Sequence, residues 1–254
     1  AFAAAQAGLS AHLVLRGDTP LTGQGNYLLG QLAGATINCY PKHLYVAELP
    51  ALLEACRVHY AELGRKALVI PTGGSDGLGI WGYIAACEEL REDLAQADIE
   101  SAHLVTATGS GGTQAGLTLG TALHDLPLTV WGVNVCDDEA YFLNKVATDV
   151  ADWRSRFPSQ PAATVTPRVI DGYVGTGYGV ASPEVLRVIA DLAALEGVLL
   201  DPGYTGKAFH GLVQELPTGR FDDQCDIVFL HSGGVFGVFP QADQFGFLHT
   251  AASG

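Results

Sequence analysis

Short apolar runs alternate with helical stretches along nearly the whole chain, and that alternation restricts the fold more than any other feature. Strands are expected at Ala11–Leu15, Thr36–Tyr40, Ala67–Ile70, His103–Ala107, Leu128–Val133, Arg168–Asp171 and Asp226–His231. Helices are expected near Asn26–Leu32, Glu48–Glu62, Leu78–Ala95, Gly112–Leu123, Asp138–Arg156 and Pro183–Glu196. Ser182 before Pro183 supplies a cap and a first helical residue with a preset φ. Strands separated by helices pair in parallel and carry helices on both faces, which makes this an α/β chain. In such sheets ligands collect beyond the carboxyl ends of the strands.

Small-residue loops stand at those ends. "IPTGGSDGLG" follows Ala67–Ile70, "TATGSGGTQAG" follows His103–Ala107 and "LHSGGVFG" follows Asp226–Phe229. In the second, Thr108-Gly109-Ser110-Gly111-Gly112-Thr113 strips the backbone nearly bare where a strand gives way to a helix. Exposed N–H groups at the positive end of a helix bind phosphate or carboxylate; a tight turn needing small residues is the alternative. The named phosphate loops do not match. The third position of a G-x-G-x-x-G fingerprint is Gln114, and no lysine lies between Lys66 and Lys145 to complete a Walker loop. What remains is a cup for one isolated phosphate. Together the three loops suggest a planar, phosphate-bearing ligand. Gly73-Gly74-Ser75-Asp76-Gly77 also matches the G-x-S-x-G nucleophile elbow, so a serine hydrolase using Ser75 with His210 or His231 is a rival reading.

Charge and thiols exclude other classes. Thirteen basic against 27 acidic residues leave a net charge of −14, which argues against a nucleic-acid backbone or an anionic membrane surface as partner. Five scattered cysteines with no C-x-x-C pair fit reduced thiols in the cytoplasm and no zinc site, and eight histidines show no metal spacing. No secretory signal or membrane-length apolar run appears. "AFAAAQAG" reads as the last turns of a helix ending at Gly8, without a cap or initiator methionine, as in a chain that starts inside a larger protein. Asp137-Asp138-Glu139 is placed at a helix start and Asp222-Asp223 in a solvated turn, with Trp81, Trp131 and Trp153 as core or interface aromatics.

Five ordered stretches, "IPTGGSDGLGIWGY", "ATGSGGTQAGLTLG", "GTGYGVASPEVL", "LDPGYTGKAFHGL" and "LHSGGVFGVF", resemble the D-cysteine desulfhydrase and 1-aminocyclopropane-1-carboxylate deaminase family of fold-type-II pyridoxal-phosphate enzymes. "GQGNYLLGQLAGA" has the family's look as well. The resemblance implies two domains, each a mostly parallel sheet flanked by helices, with pyridoxal 5'-phosphate in the cleft between them. Residues 1–70 would form the smaller domain, lacking its N-terminal part, and 71–254 the larger, cofactor-binding one. It implies a β-eliminating carbon–sulfur lyase that works as a homodimer on a small amino acid such as D-cysteine.

The same resemblance assigns roles. Thr108, Gly109, Ser110, Gly111, Gly112 and Thr113 would hold the cofactor phosphate, and Ser232 would meet the pyridine nitrogen. Tyr204 and Tyr178 match two tyrosines that face the substrate; packed core aromatics are the alternative for both. Deaminases of the cyclopropane substrate carry glutamate after the active-site tyrosine, and this chain has Thr205. That points to a desulfhydrase or to a sulfonate-eliminating relative such as L-cysteate sulfo-lyase. The family's Schiff-base lysine falls ahead of Ala1 in this alignment. Lys42, Lys66 and Lys145 lie in no family motif, and Lys207 follows the tyrosine in "GYTGK", where the family has a lysine that does not form the Schiff base. A fragment without turnover is the remaining reading.

Overall fold

The computed structural model describes residues 1–20, 23–221 and 225–250 of the 254-residue chain. It divides into two compact units, Ala1–Ile70 and Pro71–Gly254.

The first unit holds α1 (Phe2–Gln6), β1 (His12–Arg16), α2 (Gly25–Leu32), β2 (Thr36–Tyr40) and α3 (Lys42–Glu62). β1 and β2 pair in parallel, with Val14 opposite Asn38. Among the described residues of this unit only Gly30 is buried. α3 starts at Lys42, ahead of the Glu48 that the sequence suggested, and runs through Pro50. Pro50 lacks one helical N–H, yet the turns on both sides persist.

The second unit holds α4 (Trp81–Gln96), β3 (Ala102–Thr108), α5 (Gly112–Leu123), β4 (Leu128–Asn134), α6 (Glu139–Arg156), β5 (Arg168–Ile170), α7 (Pro183–Glu196), α8 (Thr205–Glu215), β6 (Asp226–Leu230) and α9 (Phe247–Thr250). Its four strands are all parallel, in the order β5-β4-β3-β6. Every residue of β3 is buried, which is why its sequence reads as one unbroken run with no alternation. Side chains still alternate by face. Val105 and Ala107 pack with Val133 and with Ala208 and Leu212 of α8, while Leu104 packs with Val130, with Leu117 of α5 and with Cys87 of α4. Each large apolar side chain removed from water this way stabilises the unit by roughly 1.5–3 kcal/mol. α5 also packs against α4 and α6, where Trp153, 1% exposed, meets Trp81 at 5.4 Å between rings.

The chain leaves β3 toward β4 and β5, then returns to place β6 on β3's other side. The order therefore reverses between β3 and β6, the kind of switch point at which open α/β sheets bind ligands.

Two expectations fail. Residues 67–70 form no strand: Leu68 is 79% exposed, and no strand among the described residues pairs with this apolar run. Thr205–Glu215 is helical although its glycines gave no helical signal in the sequence; the amide of its first residue, Thr205, is taken up by the Asp201 carboxylate upstream. The caps at Ser182 and Asp138 form, accepting from the amides of Val185 and Tyr141 respectively. Asp222 and Asp223 lie outside the described residues.

Candidate functional site

β3 ends at Thr108, α5 begins at Gly112, and the bare loop lies between them. Gly111 adopts φ +90°, open to glycine and strained for other residues, and a Cβ there would sit 2.8 Å from Lys145 Cγ. A Cβ on Gly112 would sit 2.5 Å from Ser75 Oγ. The first helical bond runs from the Ala115 amide to the Gly111 carbonyl. No backbone hydrogen bond among the described residues takes up the amides of Ser110, Gly111, Thr113 or Gln114. Thr108, 1% exposed, has a hydroxyl oxygen with no partner. Free amides at the positive end of a buried helix, beside an unpaired hydroxyl, form a cradle for an anion.

The neighbouring strand exit adds a second orphan. Thr106 of β3 pairs in register with Leu230 of β6, so Thr108 and Ser232, each two residues further on, leave adjacent strands at one level. Such strands lie roughly 5 Å apart. Ser232 Oγ is buried and has no hydrogen-bond partner. His231 fixes this loop: Nε2 donates to the Leu199 carbonyl at 2.8 Å and Nδ1 accepts the Gly233 amide at 3.1 Å, which assigns the neutral Nε2–H tautomer.

Tyr204 sits at the start of α8 with its hydroxyl donating to the Ala107 carbonyl at 3.0 Å. Burial, then the charges of Tyr178 and Tyr83, push its phenol well above the usual tyrosine value. Tyr178 is 51% exposed. The loop before it is held by Lys207, 1% exposed, whose Nζ donates to the carbonyls of Val174 at 2.7 Å and Gly177 at 2.6 Å. Burial lowers the pKa of that ammonium.

Asp201 was not singled out in the sequence. Its carboxylate accepts from the amides of Gly203 and Thr205 and from the Thr205 hydroxyl, at 2.9, 2.7 and 2.8 Å. Thr205 is thereby committed to the cap. An Asp four residues before a Thr, in "DPGYT", is the signal that was available.

Ser75 does not have the surroundings of a nucleophile elbow. No strand precedes it, and its hydroxyl donates to Ser110 Oγ at 2.8 Å while accepting the Gly112 amide at 3.0 Å. No histidine hydrogen-bonds to it among the described residues. Lys145 Nζ meets both carboxylate oxygens of Asp149, at 2.5 and 2.6 Å, and donates to the Ser75 carbonyl at 3.0 Å. Lys42 and Lys66 are exposed in the first unit.

Residues 1–233 match the protein family described as "Pyridoxal-phosphate dependent enzyme". The chain belongs to that family. It is 35% identical to the "Bifunctional D-cysteine desulfhydrase/1-aminocyclopropane-1-carboxylate deaminase, mitochondrial" of Arabidopsis thaliana, with 94% of this chain and 61% of that protein covered. It is 34% identical to the D-cysteine desulfhydrase of Klebsiella pneumoniae, with 93% of this chain and 73% of the relative covered. A crystal structure titled as an ACC deaminase homologue superposes with a TM-score of 0.82 at 33% identity, over 97% of this chain and 72% of that one.

The residues present fit the family's cofactor at two of its ends. The bare amides and Thr108 suit the phosphate, and the buried unpaired Ser232 hydroxyl suits a ring nitrogen. The amines of Lys145 and Lys207 are each engaged by neighbouring oxygens. Among the described residues no helix is long and apolar enough to cross a membrane.

Proposed function

We propose that this chain binds pyridoxal 5'-phosphate through Thr108, Gly109, Ser110, Gly111, Gly112, Thr113 and Ser232, and serves a lyase that eliminates a β-substituent from a small amino acid such as D-cysteine. One observation carries the reading. Two strand exits at the sheet's reversal point, side by side, present free amides and two buried hydroxyls without partners, a donor set matched to a phosphate and a ring nitrogen.

When bound, pyridoxal phosphate supplies an electron sink for charge developing at the substrate Cα. The chain's own groups set how strong that sink is. Ser232 offers the ring a neutral hydroxyl, which cannot hold the nitrogen protonated as a carboxylate can, and this suits a reaction whose leaving group departs early. Tyr204 stays a protonated phenol, so it acts by donating: it holds or delivers a proton at its hydroxyl. Tyr178 is half exposed on a loop anchored by Lys207, and in this proposal it meets the substrate. In the overall reaction the Cα–H and Cβ–S bonds break, sulfide leaves, and water hydrolyses the released enamine to pyruvate and ammonia.

The name of the plant relative favours a second reading, deamination of 1-aminocyclopropane-1-carboxylate. Residues 1–70 and 71–254 serve in this proposal as the small and the cofactor-binding domain. The working form is a cytoplasmic homodimer, in keeping with five free cysteines. The test is to load the protein containing this chain with pyridoxal phosphate and offer D-cysteine, L-cysteate and the cyclopropane amino acid side by side. Sulfide from D-cysteine supports the main reading. Sulfite or 2-oxobutyrate as the dominant product replaces it with the corresponding alternative, and no cofactor binding overturns all three.

A further inference from the structure

The donor that orients the phosphate cup lies outside it. Ser75 comes from the loop 71–77, some 35 residues earlier in the chain than Ser110, and is only 5% exposed. Its hydroxyl has one proton and gives it to Ser110 Oγ. That bond fills an acceptor site on Ser110, so the proton of Ser110 is left to point away from Ser75. Ser75 Oγ also accepts the Gly112 amide at 3.0 Å, which holds the first residue of α5 in place. A hydroxyl already accepting a bond donates more strongly, since bonds in a chain polarise one another. The loop lies close enough that a Cβ on Gly73 would collide with Ser110 Oγ.

Ser75 is braced from behind. Lys145 of α6 grips the Ser75 carbonyl, and Asp149, one turn on and 3% exposed, neutralises that ammonium with two short contacts. The aliphatic stem of Lys145 lies against Gly111. Three segments distant in sequence thus meet at the start of α5, and the Lys145 ammonium that joins them is already paired with Asp149.

We propose that Ser75 is a positioning residue for the cofactor phosphate: it directs the Ser110 proton at the phosphate and fixes the Gly112 end of the cup, held in place by the Lys145–Asp149 pair. The inference rests on the proposed cofactor reading, and its test separates the two. Binding of inorganic phosphate, pyridoxal 5'-phosphate and phosphate-free pyridoxal is measured by titration calorimetry on the full chain, for the unmutated protein, Ser75→Ala and Ser75→Thr. Weakening a hydrogen bond to a charged group predicts roughly 10- to 100-fold poorer affinity of Ser75→Ala for both phosphate ligands. Pyridoxal affinity stays within about 2-fold, and Ser75→Thr, which keeps the hydroxyl, recovers most of the loss. A second variant removes the brace without stranding a buried charge, Lys145→Met together with Asp149→Leu; it moves phosphate affinity in the same direction. Unchanged phosphate affinity in Ser75→Ala, or an equal loss for pyridoxal, overturns the inference and leaves the cofactor reading standing. An unmutated chain that binds neither phosphate ligand overturns both.

Discussion

The hydroxyl of Tyr204 donates to the carbonyl of Ala107 across 3.0 Å, tying the residue before α8 to the carboxyl end of β3. The bond places the phenol beside the phosphate loop and spends its proton on the backbone in the resting structure. Delivering that proton to a reacting group requires the Ala107 bond to be exchanged. Tyr204→Phe keeps the ring and removes the exchange, so turnover should fall by roughly 10²–10⁴-fold, the usual worth of acid–base catalysis. Lost stability should stay at about 1 kcal/mol, the net value of one such bond. Steady-state kinetics beside a thermal melt read both; activity within a few-fold of the unmutated enzyme removes Tyr204 from the mechanism.

Gly111 tests the loop itself. A side chain there meets a φ of +90° and the stem of Lys145. Gly111→Val should cost about 1–3 kcal/mol in backbone strain and abolish retention of the cofactor on a desalting column, with far-UV circular dichroism unchanged. Full cofactor occupancy in that variant would reduce the loop to a turn.

Lys207 holds two carbonyls of the loop that carries Tyr178. Lys207→Met removes the ammonium that holds both and frees two half-buried carbonyls, loosening the loop. The expected signature is local: proteolytic cleavage within residues 174–179 under conditions where the unmutated chain resists. An unchanged digestion pattern would show that the loop is held by other contacts.

Much of this was legible in the sequence, for a physical reason. β3 and β4 read as near-continuous runs because both faces are largely covered, while β6 at the sheet edge is only half-buried; β3 and β6 run out into loops of small residues. Thr36–Tyr40, Gly112–Leu123 and Pro183–Glu196 form with the bounds their patterns predict. Residues 67–70 misled because an apolar run becomes a strand only where another strand accepts its hydrogen bonds. Ser75 misled in the opposite sense: G-x-S-x-G describes spacing, and spacing does not say whether the serine faces a histidine or another loop. The Lys145–Asp149 pair is visible as an i,i+4 spacing, but its grip on Ser75 spans 70 residues and depends on the tertiary fold. Asp201 was hidden for a similar reason, since a carboxylate capping a helix four residues later looks like an ordinary turn acid.

Glu215 predicts the acid limit of the second unit. It is 8% exposed and accepts from Tyr173 Oη, Arg220 Nε and Thr218 Oγ1. Burial acts to raise its pKa, but the Arg220 and Tyr173 bonds outweigh it and leave the carboxyl below its ordinary value. A carboxyl with a depressed folded pKa stabilises fully above its unfolded value, about 4.3, and loses that contribution as pH falls through the lower folded value. Glu215→Gln should therefore lower the melting temperature at pH 7 and narrow the gap to the unmutated chain below about pH 4. A gap constant across that range would mean the charge does not matter. The same hub, with burial as the larger cause, pushes the Tyr173 phenol up to about 12.

Ser232 carries the sharpest test of the electronic argument. Its hydroxyl is buried without a partner at the strand exit level with Thr108, and the proposal has it meet a ring nitrogen. Ser232→Asp offers that nitrogen a carboxylate, and an adjacent opposite charge favours the protonated form. The readout is the ¹⁵N chemical shift of labelled pyridoxal phosphate bound to each protein, which reports protonation directly and does not require turnover. The unmutated chain should show an unprotonated pyridine nitrogen and the aspartate variant a protonated one. A protonated ring is the stronger electron sink, so elimination should slow or stay level while side reactions such as transamination grow. An unchanged nitrogen shift with cofactor fully bound would mean that Ser232 does not touch the ring, and its buried hydroxyl would need another ligand.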